Sequence, residues 1–124
     1  MTPLILAIKS YKYRIAYCFL KVNINVSYTD FFGKDALFYA LQNTYIDGDY
    51  RIANLILKKH PNPNQTLLML VKQGNIKLIK YLLDNINNND FIINDIIFDR
   101  AIEIYSINHP IVELLNKYNI FYEK

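Results

Sequence analysis

The residues able to carry chemistry are sparse. His60 and His109 each stand directly before a proline and read as loop residues beside helices, and neither has a second ligand type at helical i, i+4 spacing. Cys18 is the single cysteine, flanked by Tyr17 and Phe19, and one cysteine with scattered histidines does not make a zinc site. Its aromatic setting suits a small packing residue better than a nucleophile. In the stretch IDGDY, Asp47 and Asp49 bracket Gly48. A calcium loop requires further oxygen ligands at fixed spacing and a closing glutamate, which this stretch lacks. It reads as a turn between helices, with Asp49 placed to cap the second. No catalytic, cofactor-binding or metal-binding residue is therefore assigned, and a non-enzymatic protein is expected.

The elements that position these residues are helical. The chain of 124 residues is 52% hydrophobic and 20% charged, which suits one folded domain and argues against a disordered tail. Net charge is +3, from lysines spread along the chain with no basic block, so nucleic acid is not an expected partner. No run of about 18 uncharged apolar residues is present, so no membrane span is expected. A single cysteine suits a reducing compartment, cytoplasmic or nuclear. In QTLLMLVKQGNIKLIKYLLDN, Leu67, Leu70 and Val71 form one apolar stripe, and Leu78, Ile79, Leu82 and Leu83 form another. Gly74 separates them at a position where a glycine ends a helix at little steric cost. The spacing predicts two short antiparallel helices, which need neighbours to bury both faces.

Those neighbours come from repetition. Residues 2–21 overlay residues 65–84 without a gap: Leu4 meets Leu67, Ala7 meets Leu70, Ile15 meets Leu78, and Phe19-Leu20 meets Leu82-Leu83. A third copy, residues 35–58, matches through Leu37, Ala40, Ile52, Ala53, Ile56 and Leu57, with an insertion around Tyr45–Gly48. A weaker fourth carries Ala101 and Leu114-Leu115.

Thr2-Pro3-Leu4 with Ala7, and Leu78-Ile79 with Leu82-Leu83, resemble the opening and close of the ankyrin repeat. The link KVNINVSYTDFFGKDAL resembles that family's finger: Asn23 in the left-handed position, Val26, Asp30 at the turn and Gly33 in the tight turn. The resemblance implies an all-α ankyrin-repeat solenoid of about four degenerate helix-turn-helix repeats with one full β-hairpin finger. It forms a single domain over residues 1–124, with repeats at approximately 2–34, 35–64, 65–94 and 95–124. After Leu57 the link HPNPNQ is too short for a second finger and predicts a proline-stiffened loop. The run Asn85–Asp90 is expected as a solvated loop. Degenerate repeats rich in Ile, Asn, Lys, Tyr and Phe, all written with AT-rich codons, are similar to those of poxviruses, and less closely to those of giant viruses or intracellular bacteria.

By that resemblance the function is protein–protein interaction: a viral protein that binds a host protein and blocks or redirects it. Two alternatives are a substrate-recruiting adaptor of a ubiquitin ligase and a structural or decayed remnant without a partner. The chain ends NKYNIFYEK, which is short for the ligase-docking segment such adaptors carry. The concave face of the family maps onto Phe31, Phe32 and Lys34 on the finger. It continues through Lys9 and Ser10, Gln42 and Asn43, and Lys72 and Gln73 at the ends of the first helices. Two adjacent phenylalanines at a turn tip are hard to bury within one repeat, and exposed aromatics anchor interfaces. Repeat one has no predecessor, so weak self-association through its apolar face is also expected.

Overall fold

The computed structural model describes residues 2–22, 24–60, 62–86 and 91–122, with side chains as far as Tyr118. Asn23, Pro61 and the run Asn87–Asp90 lie outside the described residues, and with them the left-handed position expected of Asn23 and most of the asparagine loop.

Eight helices form among the described residues: α1 (Pro3–Lys9), α2 (Tyr13–Lys21), α3 (Ala36–Asp47), α4 (Arg51–Lys59), α5 (Asn64–Gln73), α6 (Ile76–Asn85), α7 (Asp95–Ile104) and α8 (Pro110–Tyr122). None is long and apolar enough to cross a membrane. Local chemistry fixes four of the eight starts through side-chain caps. The Thr2 hydroxyl accepts from the Ile5 amide at 3.1 Å, with Pro3 opening α1. The carboxylate of Asp35 caps α3 at the Phe38 amide, and the side chain of Asn75 caps α6 at the Leu78 amide. Asn94 does the same for α7. Each cap satisfies an amide that the helix itself leaves unpaired.

Gly74 ends α5 at φ +82°, and Asn75 opens α6 directly after it. A side chain at Gly74 would face a second obstacle, since its Cβ would lie 2.9 Å from the Tyr105 hydroxyl oxygen. That hydroxyl donates to the Val71 carbonyl at 2.6 Å. In the second pair, the insertion around Tyr45 extends the helix: α3 runs for 12 residues against 10 in α5, and closes at Gly48 in the left-handed conformation.

The helices pack as four pairs in series. Within each pair the two helices touch, α1 packs on α3, α3 on α5 and α5 on α7, while α2 packs on α4 and α6 on α8. Between α4 and α6 the Tyr50 and Tyr81 rings lie 4.2 Å apart, and the Tyr81 hydroxyl bonds Asn54. The core is one cluster of apolar side chains, mostly aliphatic, running from Leu4 to Leu115. In α4 the stripe Ile52, Ala53, Ile56 and Leu57 is buried, as is Leu78, Ile79, Leu82 and Leu83 in α6. In α2 only Ala16 and Leu20 are.

The full β-hairpin finger expected between α2 and α3 is not seen among the described residues. A single antiparallel bridge, Thr29 with Asp35, stands there without a ladder. A two-stranded hairpin is marginal without a neighbouring strand to extend it, and the link between α4 and α5 supplies none. Instead the Gln65 amide donates to the Gly33 carbonyl at 2.8 Å, so a side chain of α5 takes the place beside the turn.

Candidate protein-binding face

What forms in place of the finger is a tight turn built around Asp30. Its Oδ1 accepts from the amides of Phe32 at 2.9 Å and Lys34 at 3.0 Å. Its backbone amide donates to the Lys34 carbonyl at 2.8 Å, and its carbonyl accepts from the Gly33 amide at 3.0 Å. Gly33 sits at φ +79°, a conformation a β-carbon disfavours. The second carboxylate oxygen accepts from the Tyr39 hydroxyl of α3. Partial burial alone would raise the Asp30 carboxyl, but the Tyr39 hydroxyl and the two amides outweigh it and hold it below the ordinary carboxylate value. Partial burial, with the hydrogen bond to Asp30, pushes Tyr39 up to about 12. The turn is thus tied to α3 through Tyr39 and to α5 through Gln65.

Phe31 and Phe32 stand at the tip, 100% and 74% exposed. Their rings meet edge to face, with centroids 6.3 Å apart. Lys34 lies behind them, its ammonium 5.2 Å from the Phe38 ring and 5.9 Å from the Phe32 ring. The Lys9 ammonium sits 5.0 Å over the Tyr39 ring, which brings the end of α1 to the base of the turn. Tyr39 and Gln42 are three residues apart and share a face of α3. Gln42 and Gln73 exchange two side-chain hydrogen bonds, at 2.8 and 2.7 Å, and so join α3 to α5. Ser10 and Lys72 are exposed at the ends of α1 and α5.

Asn43 does not belong to this surface. It is buried, and its amide donates to the Ile8 carbonyl at 2.8 Å. Its work is to tie α3 to the end of α1, satisfying a carbonyl that the helix leaves open. Three residues not expected on the face lie on it. Tyr39 holds the turn, and Tyr45 and Ile46, 60% and 73% exposed, lie on the extra length of α3. The insertion around Tyr45 was their signal, because inserted residues that continue a helix lengthen it by about 1.5 Å each. Tyr45, Gln42, Gln73, Ile76 and Lys77 line an open groove of about 440 Å³ at this end.

The remaining chemistry-bearing residues are engaged elsewhere. Asp47 accepts from the Tyr13 hydroxyl at 3.0 Å, while Asp49 accepts from the Arg51 amide and pairs with its guanidinium at 2.7 Å. The two carboxylates therefore serve different partners, and no cluster able to hold a metal ion occurs among the described residues. The N-cap of α4 is Tyr50, which makes no side-chain cap, so Asp49 is not the cap its position suggested; it stands one residue earlier and bonds the first amide of the helix. His109 Nδ1 accepts from the Ile111 amide at the start of α8, its ring stacked on Tyr105. Cys18 is exposed on α2, so it is not the packing residue that its aromatic neighbours suggested.

His60 departs from the loop role expected of it. It is buried, with Nε2 3.1 Å from Asp35 Oδ2, and the Thr66 hydroxyl donates to that same oxygen at 2.6 Å. Asp, His and Thr together are triad residue types, but the arrangement is wrong for nucleophilic catalysis. A nucleophile must reach the imidazole, which the carboxylate orients from its far side. Here the hydroxyl bonds the carboxylate itself. The cluster joins the starts of α3 and α5 to the end of α4, and it is a structural knot.

No protein-family model, no curated protein and no solved structure matches the chain.

Proposed function

We propose that this chain is a non-enzymatic protein-interaction module, built of degenerate ankyrin-like repeats and acting by occupancy. It holds a protein partner and so blocks or redirects it, in the manner of a viral modulator of a host pathway. One observation carries the reading: two adjacent phenylalanine rings stand in solvent on a turn whose backbone is fixed by its own aspartate, by Tyr39 and by Gln65. Exposed aromatic pairs on a soluble surface have little folding use, and they are the usual anchors of interfaces. A turn already fixed loses little conformational freedom on binding, which leaves more of the contact energy as affinity. Lys9, Lys34, Gln42 and Gln73 surround the pair as a polar rim, where charges set orientation more than strength.

The test compares capture by the wild-type chain with capture by the double variant Phe31→Ala, Phe32→Ala from cells, quantified by mass spectrometry. Circular dichroism first establishes that the variant keeps its fold. Proteins recovered at stoichiometric level with wild type should fall at least tenfold with the variant. Equal recovery by both would refute the assignment of the turn as the anchor.

A further inference from the structure

The first and last described pairs expose apolar positions that the middle pairs bury. In α4 and α6 the four stripe positions are all buried; in α2 the matching Ile15 is 47% exposed and Phe19 only half-buried. Ile15 and Phe19 align with Leu78 and Leu82, which are 1% and 0% exposed. The third pair differs from the first in having a pair before it, so these are the positions a preceding pair covers. With Pro3 and Leu6 of α1 they line an apolar groove of about 320 Å³ between the two helices.

The other end mirrors this. Ile8, Leu41 and Val71 occupy equivalent positions in α1, α3 and α5, each 0% exposed on a helix that packs against the next in line. Ile102 is their counterpart in α7 and is 43% exposed. It is the position a following pair covers. Charge divides the same way. Residues 1–29 contain Lys9, Lys12, Arg14 and Lys21 and no acidic residue. Across α7 and α8, Asp95, Asp99, Glu103 and Glu113 outnumber Arg100 and Lys117, all six exposed.

From these observations we infer that the groove between α1 and α2 is a docking site for a second copy of this chain, which enters with its α7–α8 end. The incoming pair sits where a preceding pair would, covering Ile15 and Phe19, while its own Ile102 is covered in return. A basic face meets an acidic one, so the contact is attractive head to tail and repulsive head to head. Such a heterologous contact does not close on itself, and copies add in line.

Sedimentation of the full chain over a concentration series tests this. The weight-average coefficient should rise with concentration at low salt and fall back as salt is raised from about 50 mM to about 500 mM, because salt screens exposed charges. Two variants with one end blocked, Ile15→Asp and Ile102→Asp, define the polarity. Each alone should be monomeric, and an equimolar mixture should give a one-to-one dimer and nothing larger, since one intact groove and one intact end remain. If either aspartate variant loses its helical circular dichroism, Lys12→Glu and Glu103→Lys replace the pair: each alone should be monomeric, and their mixture should assemble beyond a dimer, because each reversed charge meets its opposite on the other variant. A wild-type chain that stays monomeric at low salt overturns the inference. So does self-association of Ile102→Asp alone, which would mean that two grooves meet face to face, and so does self-association of Ile15→Asp alone.

Discussion

Two turns of similar size show what separates a part that builds the fold from a part that is free to bind. The turn at Gly74 and Asn75 joins α5 to α6 with its glycine left-handed and its asparagine capping the next helix. The turn from Asp30 to Lys34 is just as determined, with its glycine left-handed and its aspartate bonding two amides. Their side chains meet opposite fates. Tyr105 closes over Gly74, and the stripe beyond it, Leu78 to Leu83, is buried. Phe31 and Phe32 stand in water. Backbone order is therefore not a sign that side chains are needed for stability. The first turn stabilises through what packs on it; the second holds two rings out in solvent.

The largest effect that would break this contrast lies beside the first turn. Leu82 is fully buried, and Leu82→Ala should cost about 2–5 kcal/mol through lost burial and the cavity left behind. Against a total of about 5–15 kcal/mol, urea unfolding would show this as a clear drop in midpoint. An unchanged midpoint would mean that α6 does not pack as described.

Gly74→Ala comes next. A β-carbon in the left-handed region costs about 1–2 kcal/mol, and here it would also press on the Tyr105 hydroxyl at 2.9 Å. Thermal unfolding should show a loss of at least that size, with the hydrogen bond to Val71 disrupted.

The second turn should respond to pH instead. The folded Asp30 carboxyl lies below its ordinary value, so its contribution is present above the unfolded carboxylate range near about 4. It is lost as pH falls through the lower folded value. Asp30→Asn should therefore flatten part of the acid limb of the stability curve below about pH 4 and leave the rest of the curve shape unchanged. Melting both proteins from about pH 2 to pH 7 checks it. Identical acid limbs would show that the carboxylate does not hold the turn.

The helices were legible in the sequence because their signals are local. Gly74 and Asn75 mark a boundary within two residues, and the Leu82-Leu83 stripe repeats at helical spacing. Tyr45 to Gly48 stood out as an insertion, though not as added helix. The misreadings share a cause, which is partners far away in sequence. Asn43 looked like a surface residue at a helix end, but its acceptor, the Ile8 carbonyl, is 35 residues away. His60 looked like a loop histidine, yet it is held by Asp35, 25 residues earlier, beside Thr66, which bonds the same carboxylate. The finger pattern around Asp30 and Gly33 encodes the turn correctly, but a strand needs a neighbour that no local pattern supplies. Of the expected face, Phe31 and Phe32 could be placed from their own positions, while Tyr39 required knowledge of what its hydroxyl reaches.

The most direct test of the contrast is the stability of the double variant Phe31→Ala, Phe32→Ala. If the two rings serve binding and not packing, removing both should move the urea midpoint by no more than about 0.5 kcal/mol, the ordinary range for exposed surface changes. A loss of about 1 kcal/mol or more would show that the rings pack in the folded chain, and would contradict their assignment as a free anchor.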